Sequence, residues 1–482
     1  MALTRREFLC RSFGAMGAAA LAFERFGLLN AFAQSSDYKA LVCIFLFGGS
    51  DTGNVVIPND DNASSPFAYA SYAKARQSSG LAIPQSSLLQ INPPSIAGSN
   101  FGLHPSLTSA TGGLYDLWKA GKMAVVCNVG PLVEPTTRDA YIHGTAHVPV
   151  NLFSHSDQQN EWQTSIADPS KVPPAGGGWG GRTADKAIDS TATLPPLTSV
   201  AGTPIFCSGN VAQPLAIAPA PTALSAALSL DGFPNPPDND PRYIAMTQLL
   251  QEDQAITLVK GASGVTTQAL GVEKTLRTAG NPAVPPFPLN TSLGNQLNQV
   301  AKMISVRNSL QMSRQIFFCS LGGFDTHFNQ VNNGNSAAGT HANLLLQLSN
   351  AMKTFYDATV NLGVASQVTT FILSDFARTF VPNGNLGTDH AWGSHHFVVG
   401  GAVRGGDFYG VPGSNGTVFP TVVANGPDDT DTGGGARGRW IPTTAVDQYG
   451  ATLVSWFGVS SVDLAAVFPN IARFGSTNLG FV

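Results

Sequence analysis

The sequence predicts an α/β protein with a mostly parallel central sheet and helices on both faces. Three observations support this prediction: near-continuous apolar runs that stop at glycine or polar residues, helical patterns that precede such runs, and metal-capable side chains directly after them. Apolar runs without alternation are typical of strands that are buried on both faces. Helices that alternate with such strands favour a parallel sheet that is covered on both sides.

The first half of the chain contains two such strands. Residues 39–47 form an apolar run that ends at Gly48, which predicts a central parallel strand. Apolar residues at helical spacing predict a helix over 107–120. Gly121 separates this helix from a second predicted strand at 123–129.

The second half repeats the alternation twice. A predicted helix over 295–309 precedes a strand at 315–321, and a predicted helix over 341–362 precedes a strand at 368–373. Residues 243–276 also have a helical pattern, which predicts a helical insertion.

Three segments rich in proline, glycine or aspartate interrupt this alternation and are predicted to be loops: 171–181, 279–289 and 410–439. The last contains Asp428, Asp429 and Asp431, whose spacing matches no EF-hand calcium loop. These aspartates are therefore predicted to lie in a solvated loop.

The N-terminus has the features of an export signal. Thr4-Arg5-Arg6-Glu7-Phe8-Leu9 fits the twin-arginine pattern, residues 13–23 are weakly apolar, and Ala31-Phe32-Ala33 is a small-residue cleavage site. We predict a twin-arginine signal peptide over 1–33, followed by a single domain over 34–482. The export machinery is the predicted partner of the leader, and the predicted location is periplasmic or secreted.

Composition excludes several classes of function. Without the leader the chain holds 22 basic and 28 acidic residues, so it offers no basic footprint for nucleic acid. No other stretch approaches the roughly 20 apolar residues of a membrane span. The four cysteines beyond the leader lie in or beside apolar runs and are predicted to be buried thiols, with a disulfide between neighbouring strands as the alternative.

Metal-capable side chains are concentrated after the two later strands. They are Asp325, His327, Asp375, Asp389, His390, His395 and His396. Open α/β folds place their ligand crevice at the carboxyl ends of parallel strands, so these residues predict a site there. Imidazole and carboxylate together favour a divalent metal as cofactor, with Zn, Mg, Mn or Ca as candidates. The alternative is that some of these residues are helix caps or core histidines.

Motifs along the chain resemble the DUF1501 family of exported proteins of unknown function. Six segments show the resemblance: Phe47-Gly48-Gly49-Ser50-Asp51, Ser154-His155-Ser156-Asp157-Gln158-Gln159, Gly178-Trp179-Gly180-Gly181-Arg182, Gly323-Phe324-Asp325-Thr326-His327, Ser374-Asp375-Phe376-Ala377-Arg378 and Gly387-Thr388-Asp389-His390. Two departures are Asp375, where the family has glutamate, and Ala377, where glycine is usual. The predicted domain is accordingly a DUF1501 domain.

That family is similar in fold to the alkaline phosphatase and sulfatase superfamily, which implies an alkaline phosphatase-like sheet and a metal site. By this resemblance Asp51 is the metal-binding aspartate that follows the first strand. Two further groups of metal ligands come later in the chain, and Asp325 and His327 form the first of them. The second group is either Asp375 or Asp389 with His390, and His395 or His396 comes last. The implied activity is metal-dependent hydrolysis of phosphate- or sulfate-ester-like groups in a small molecule or polymer, in which two cations offset the developing charge.

The nucleophile is not marked by any distinctive motif. Ser154, Ser156 and Thr52 are candidates, and His155 is either a ligand or a base. Arg378 is predicted either to hold an anionic group or to anchor a loop to an aspartate. The formylglycine motif of sulfatases, Cys or Ser followed by x-Pro-x-Arg, does not occur in the chain.

Two other functions remain open at this point. One is a non-catalytic secreted binding or scaffold protein that retains the fold. The other is a metal-free esterase of the GDSL type, with Ser50 as its nucleophile, because residues 47–54 vaguely echo the opening motif of those enzymes.

Overall fold

The computed structural model describes residues 38–482, except for 169–176, 188–191, 193, 213, 229, 231, 286 and 288–290. The predicted signal peptide over 1–33 lies outside the described residues. Within the described ranges, no helix has both the length and the apolar character that a bilayer span requires.

The described part of the chain contains twelve strands in two sheets. In chain order they are β1 (Lys39–Leu46), β2 (Val56–Pro58), β3 (Leu89–Ile91), β4 (Phe101–Leu103), β5 (Met123–Gly130), β6 (Leu197–Ser199), β7 (Leu215–Ala216), β8 (Arg314–Leu321), β9 (Val368–Ser374), β10 (Ser394–Gly400), β11 (Phe408–Tyr409) and β12 (Thr444–Ala445). The larger sheet has the order β11-β5-β10-β9-β1-β8-β6-β7, and β12 also pairs with β5. The smaller sheet, β2-β4-β3, is antiparallel.

The larger sheet is mostly parallel, as predicted. Among the described strands, its pairings are parallel except for the two made by β10, which runs antiparallel to both β9 and β5. At the centre, Leu46 of β1 lies opposite Leu321 of β8 on one side and Ser374 of β9 on the other. The three central strands therefore end at the same level, and the loops that follow them start side by side.

The described helices lie between and after these strands. In chain order they are α1 (Tyr69–Arg76), α2 (Leu114–Lys119), α3 (Arg138–Ile142), α4 (His155–Thr164), α5 (Trp179–Lys186), α6 (Pro241–Leu249), α7 (Thr257–Ala279), α8 (Ser292–Ser305), α9 (Thr340–Asn361), α10 (Val446–Phe457) and α11 (Leu464–Val467).

Most predicted elements are present with shifted bounds. The helices predicted over 295–309 and 341–362 correspond to α8 and α9. The helix predicted over 107–120 is confined to α2, because Gly113 lies in an extended conformation immediately before it. The helical insertion predicted over 243–276 is present and forms two helices, α6 and α7.

Two apolar cores cover the two faces of the larger sheet. Along β1, Val42 and Ile44 point into one core and Cys43 and Phe45 into the other, because successive side chains of a strand alternate between faces. Helices α8 and α9 pack on the first face, and α5 and α10 pack on the second. This arrangement confirms the predicted α/β class with helices on both faces.

Two further predictions have different outcomes. The cysteines at 43, 127, 207 and 319 are buried free thiols, which confirms that prediction. The prediction of a solvated aspartate loop is wrong, since Asp428 and Asp429 are buried. The Asp429 carboxylate accepts hydrogen bonds from backbone N–H groups of its own loop, including those of Asp431 and Arg439, and so it organises the loop instead of facing water.

Candidate metal centre

The loops after β1, β8 and β9 converge at one edge of the sheet. The backbone N–H of Gly48 donates to Oδ2 of Asp375 at 3.2 Å. A Cβ added to Gly48 would lie 2.2 Å from the backbone nitrogen of Asp325, and Gly48 has a φ of +113°. Only glycine can adopt this φ and also leave room for the neighbouring backbone without strain. This close approach places Asp325 and Asp375 beside each other.

The N-terminus of α4 adds a histidine to this edge. Nδ1 of His155 lies 2.7 Å from Oδ2 of Asp375, and its Nε2 lies 3.5 Å from Oδ2 of Asp325. The imidazole ring packs on Phe376, with the ring centroids 4.8 Å apart. His155 therefore bridges the two aspartates.

Two more histidines approach Asp325 from its other side. Nε2 of His327 lies 3.1 Å from Oδ1 of Asp325, and Nε2 of His390 lies 3.6 Å from the same oxygen. The two Nε2 atoms are 2.9 Å apart. We refer to His155, Asp325, His327 and His390 as the histidine–aspartate cluster.

Hydrogen bonding assigns the protons on two of these rings. Nδ1 of His327 lies 3.0 Å from Oδ1 of Asp389, and Nδ1 of His390 lies 2.7 Å from the carbonyl oxygen of Phe153. An ionised carboxylate and a carbonyl only accept hydrogen bonds, so both Nδ1 atoms must be the donors. In neutral imidazoles this leaves a lone pair on each Nε2, and the two lone pairs face each other and Asp325.

The third ring has the same polarity. Nδ1 of His155 faces the acceptor Asp375, which leaves the lone pair of Nε2 directed toward Asp325. This Nε2 atom is buried and has no hydrogen-bond partner. The cluster therefore directs three imidazole lone pairs toward the Asp325 carboxylate, with no proton between them when the rings are neutral.

This arrangement has the dimensions of a metal site. His155, Asp325 and His390 each offer a ligand atom within 4.8 Å of one another. Two ligand atoms bound to a tetrahedral metal at roughly 2.1 Å are separated by about 3.4 Å. The separations that involve Asp325, and the one between His327 and His390, range from 2.9 to 3.6 Å and bracket that value. The side chain of Asp325 is 46% exposed, so one side of the cluster is open to solvent.

The cluster and its surroundings shift the pKa values of several members. Burial acts to raise the pKa of Asp325, but the Arg378 guanidinium and the nearby imidazoles outweigh burial and hold that pKa below its ordinary value. The hydrogen bond to Asp375 raises the pKa of His155. Burial lowers the pKa of His390. Asp325 is thus ionised at neutral pH, as a metal ligand must be.

Asp375 and Asp389, both predicted as ligands, lie one step outside the cluster. Each carboxylate accepts from Nδ1 of a cluster histidine, and each has a further donor: the Gln159 amide for Asp375 and the Asn383 amide for Asp389. Carboxylates in this position orient ligand imidazoles and increase their basicity.

Arg378, predicted either to bind an anion or to anchor a loop, has its donors engaged within the protein. Its Nη1 donates to Oδ1 of Asp325 at 2.7 Å and to the carbonyl of Gly48 at 3.2 Å. Its Nη2 and Nε contact Thr388. Because the side chain is buried, this geometry corresponds to the anchoring role.

Asp51, predicted as a ligand, is instead engaged in a buried ion pair. Nη1 and Nη2 of Arg76 contact Oδ2 and Oδ1 of Asp51 at 2.6 and 2.9 Å. The amide of Gln330 donates to Oδ2 at 2.6 Å. Both oxygens are therefore occupied. Burial would raise the pKa of Asp51, but Arg76 outweighs burial and lowers it.

His395 and His396 are also separated from the cluster. Both lie on β10, between β5 and β9, and both are buried. The ring of His395 stacks on Phe419 at 4.6 Å, and the ring of His396 lies 4.7 Å from Trp162. They were predicted as metal ligands, but they form the start of a central strand, which carries their side chains into the two cores.

The serines predicted as nucleophiles have no activating partner. Oγ of Ser154 contacts Oγ of Ser156 at 3.1 Å, although His155 lies between them in sequence. Ser50 is buried; its backbone N–H donates to Oγ of Ser374, and its carbonyl accepts from the N–H of Thr52. In the described part of the chain, no hydrogen bond joins a histidine ring to either Ser154 or Ser50, so the GDSL-type alternative lacks its serine–base pair.

Residues 244–421 match the family model DUF1501, which is described as a protein of unknown function. Over these residues the chain is similar to that family. The matched region contains Asp325, His327 and His390, whereas His155 precedes it. No curated protein matches the chain. The alkaline phosphatase-like detail of the fold stays a prediction.

Proposed function

We propose that the protein is a metal-dependent hydrolase of phosphate- or sulfate-ester-like substrates, exported to the periplasm or secreted. His155, Asp325, His327 and His390 would hold one divalent metal. The observation that supports this most strongly is the set of three Nδ1 atoms, each facing an acceptor, which leaves three Nε2 lone pairs directed at the Asp325 carboxylate.

The donor set fits such a metal. A buried imidazole nitrogen without a partner, Nε2 of His155, is costly unless a proton or a cation satisfies it. Three imidazoles with one carboxylate suit Zn better than Mg or Ca, which prefer oxygen ligands. Each ligand imidazole also has the outer acceptor that zinc-binding histidines usually have. Zn is accordingly our first choice among the predicted metals.

The surrounding residues each have a defined task. Arg378 fixes Asp325, while Asp375, Asp389 and the Phe153 carbonyl hold the three rings in their tautomers. A divalent metal bound there would supply Lewis acidity toward an ester oxygen and lower the pKa of water. The absence of an activated serine, among the described residues, favours water over a side chain as the nucleophile.

Two arginines at the rim support an anionic substrate. Nη2 of Arg437 lies 3.4 Å from Oδ2 of Asp389, and Nε of Arg439 donates to the carbonyl of His390. Both side chains are partly exposed, unlike the buried Arg378. Guanidinium groups bind phosphate and sulfate oxygens well, so a rim of this kind favours an anionic ester over a neutral one.

The openness of the cluster argues against a purely structural metal, as in the scaffold alternative. Structural zinc sites are closed, whereas catalytic sites keep one position for water or substrate. Here Asp325 is nearly half exposed, and the three histidine side chains are 22–31% exposed.

Hydrolysis assays on the full chain test the proposal. p-Nitrophenyl phosphate, sulfate and acetate are offered to protein that has been stripped of metal and then supplied with Zn²⁺, Mn²⁺, Mg²⁺ or Ca²⁺. We expect metal-dependent turnover of phosphate or sulfate, lost in Asp325→Ala and retained in Gln448→Met, a substitution of a buried glutamine that caps α10. Turnover of acetate alone, without metal, would instead favour the esterase. No turnover despite bound metal would favour the scaffold.

A further inference from the structure

We infer that Gln330 is a positioning residue that sets the two ligand-bearing loops of the cluster relative to each other, with Asp51 as its support. This inference rests on the proposed metal site but concerns a residue whose side chain hydrogen-bonds to Thr326, Thr388 and Asp51. Gln330 is completely buried. It lies in the loop between β8 and α9, three residues after His327.

The side-chain amide of Gln330 joins both loops. Its Oε1 accepts hydrogen bonds from Oγ1 of Thr326 at 3.1 Å and from Oγ1 of Thr388 at 2.7 Å. Thr326 immediately precedes His327, and Thr388 immediately precedes Asp389 and His390. One oxygen atom therefore ties the segment that carries one cluster histidine to the segment that carries another.

Asp51 determines which way this amide faces. Nε2 of Gln330 donates to Oδ2 of Asp51 at 2.6 Å. Because a carboxylate accepts only, the amide nitrogen must face it, and the amide oxygen must face the two threonines. Asp51 follows β1, and its own position is held by Arg76. The buried ion pair thus fixes the loops to the central strand of the sheet.

The backbone of Gln330 strengthens the same connection. Its N–H donates to the carbonyl of Leu386 at 2.8 Å, and its carbonyl accepts from the N–H of His341 at the start of α9. Arg76 adds a second route, since it contacts the carbonyl of Thr379 and Thr379 accepts from the N–H of Asp389. These contacts restrict the position of His327 relative to His390. The Nε2 atoms of the two rings lie 2.9 Å apart, and they must stay about that close to bind one metal ion.

Hydrogen exchange on the metal-free full chain tests this inference without requiring activity. Gln330→Met keeps the volume but removes both hydrogen-bonding functions. We expect amides in 324–330 and 386–391 to exchange at least 10-fold faster than in the unchanged protein. Gln448→Met is the matched control, because Gln448 is also buried and also hydrogen-bonded at both ends of its amide, but it serves α10. The control should leave both loops unchanged.

The metal itself gives the second readout. With Co²⁺ as the bound ion, Gln330→Met should weaken affinity at least 10-fold and change the visible absorption spectrum, which reports ligand geometry. The double variant Asp51→Asn with Gln330→Glu exchanges amide and carboxylate and keeps the total charge. It reverses the hydrogen bond between positions 51 and 330, while a carboxylate at 330 still accepts from Thr326 and Thr388. It should recover affinity relative to either single variant, an effect that a general loss of stability does not explain.

Three outcomes decide the matter. Unchanged exchange in both loops and unchanged Co²⁺ affinity of folded Gln330→Met would overturn the inference. If Gln330→Met does not fold, Thr388→Val takes its place and should loosen 386–391 alone; wild-type protection there would likewise overturn it. Faster exchange in a chain that binds metal but hydrolyses no ester leaves the positioning role intact and rejects only the proposed activity.

Discussion

Two groups of histidines in this molecule have opposite surroundings. His155, His327 and His390 lie in loops or at a helix start, partly exposed, and each Nδ1 faces an acceptor. His395 and His396 lie on β10, buried among aromatic rings. Burial lowers the pKa of each of these two to about 3. Both groups consist of histidines, but the first has the geometry of a metal site and the second packs in the core.

The difference shows which feature would identify a histidine of the proposed metal site. Proximity in sequence does not, since His390 and His395 are five residues apart and serve different purposes. The distinguishing feature is an acceptor for Nδ1 combined with an open direction for Nε2. His395 fails this criterion, because its Nδ1 accepts from the backbone N–H of Asn128 and so is not a donor to an acceptor group.

Replacing one member of each group should produce the largest contrast. His390→Ala removes a ligand and should reduce metal affinity by at least 100-fold, with little change in the unfolding free energy of the metal-free chain. His396→Ala leaves a cavity beside Trp162 and should lower that free energy by about 2–5 kcal/mol while metal affinity stays within about twofold. Metal titration and urea unfolding on both variants measure the contrast, and equal metal loss in the two would abolish it.

The outer carboxylates should have the next largest effect. Asp375→Asn and Asp389→Asn replace a charged acceptor of a ligand imidazole with a neutral one, and each should weaken metal binding about 10–100-fold. Asp447→Asn is the control, since Asp447 is buried near the start of α10, where burial raises its pKa to about 7. Competition with a chelator measures the three affinities. Wild-type affinity in both Asp375→Asn and Asp389→Asn would show that neither ring depends on its acceptor.

The two groups should respond differently to acid. The folded pKa of His396 is far below its ordinary value of about 6.5, so the unfolded chain binds more protons in acid. The contribution of neutral His396 to the free energy of unfolding is fully present above about pH 6.5. It declines as pH falls, by about 1.4 kcal/mol per pH unit. His396→Gln should remove one such slope from the metal-free chain between pH 6 and 4. Urea unfolding at several pH values measures the slope of the unfolding free energy against pH. Equal slopes for the unchanged protein and His396→Gln would contradict this prediction.

In the open group, acid should act through the metal. Asp375 raises the pKa of His155, so the proton competes with the metal from a higher pH than it would for an isolated histidine. Metal affinity should therefore decline below about pH 6–7 in the unchanged protein. His396→Gln should show the same decline as the unchanged protein, because His396 lies outside the proposed site. A flat affinity from pH 7.5 to 5.5 would argue against histidine ligation.

The smallest effect is expected at Ser154. Its Oγ contacts Ser156 and does not cap α4, and the proposed site uses neither serine. Ser154→Ala should alter turnover by less than about twofold and stability by about 0.5 kcal/mol or less. Steady-state kinetics with p-nitrophenyl phosphate or sulfate check this. A loss of 100-fold or more would restore Ser154 as a nucleophile.

The sequence predicted the sheet well because its signal is local. Unbroken apolar runs and helical periodicity are properties of short segments, and β1, β8 and β9 were predicted to within about two residues. Helix bounds were less accurate where glycine conformation decides them, as at Gly113 before α2. The antiparallel strand β10 was missed because Ser394, His395 and His396 at its start look like loop residues.

The candidate site was predicted only in part, for a different reason. Residues of the correct types at strand ends identified Asp325, His327 and His390, and the structure brings these together with His155. Which aspartate would contact a metal and which would support a ring depends on distances of a few ångströms between distant loops. The roles of the Phe153 carbonyl and of Gln330 could not be recognised. The first is a backbone group, which any residue has, and the second is a residue type that does not suggest metal binding. Asp51 was predicted as a metal ligand, but it pairs with Arg76. That partner could not be recognised because it lies in a separate helix.

The central claim is that one metal binds to His155, His327 and His390 and to neither histidine of β10. Titration of the metal-free full chain with Zn²⁺ at pH 7.5, followed by ¹⁵N resonances of the histidine rings, tests it directly. The account predicts saturation at one equivalent, with Nε2 of those three rings shifting and the rings of His395 and His396 unchanged. No binding, or shifts confined to His395 and His396, would contradict it.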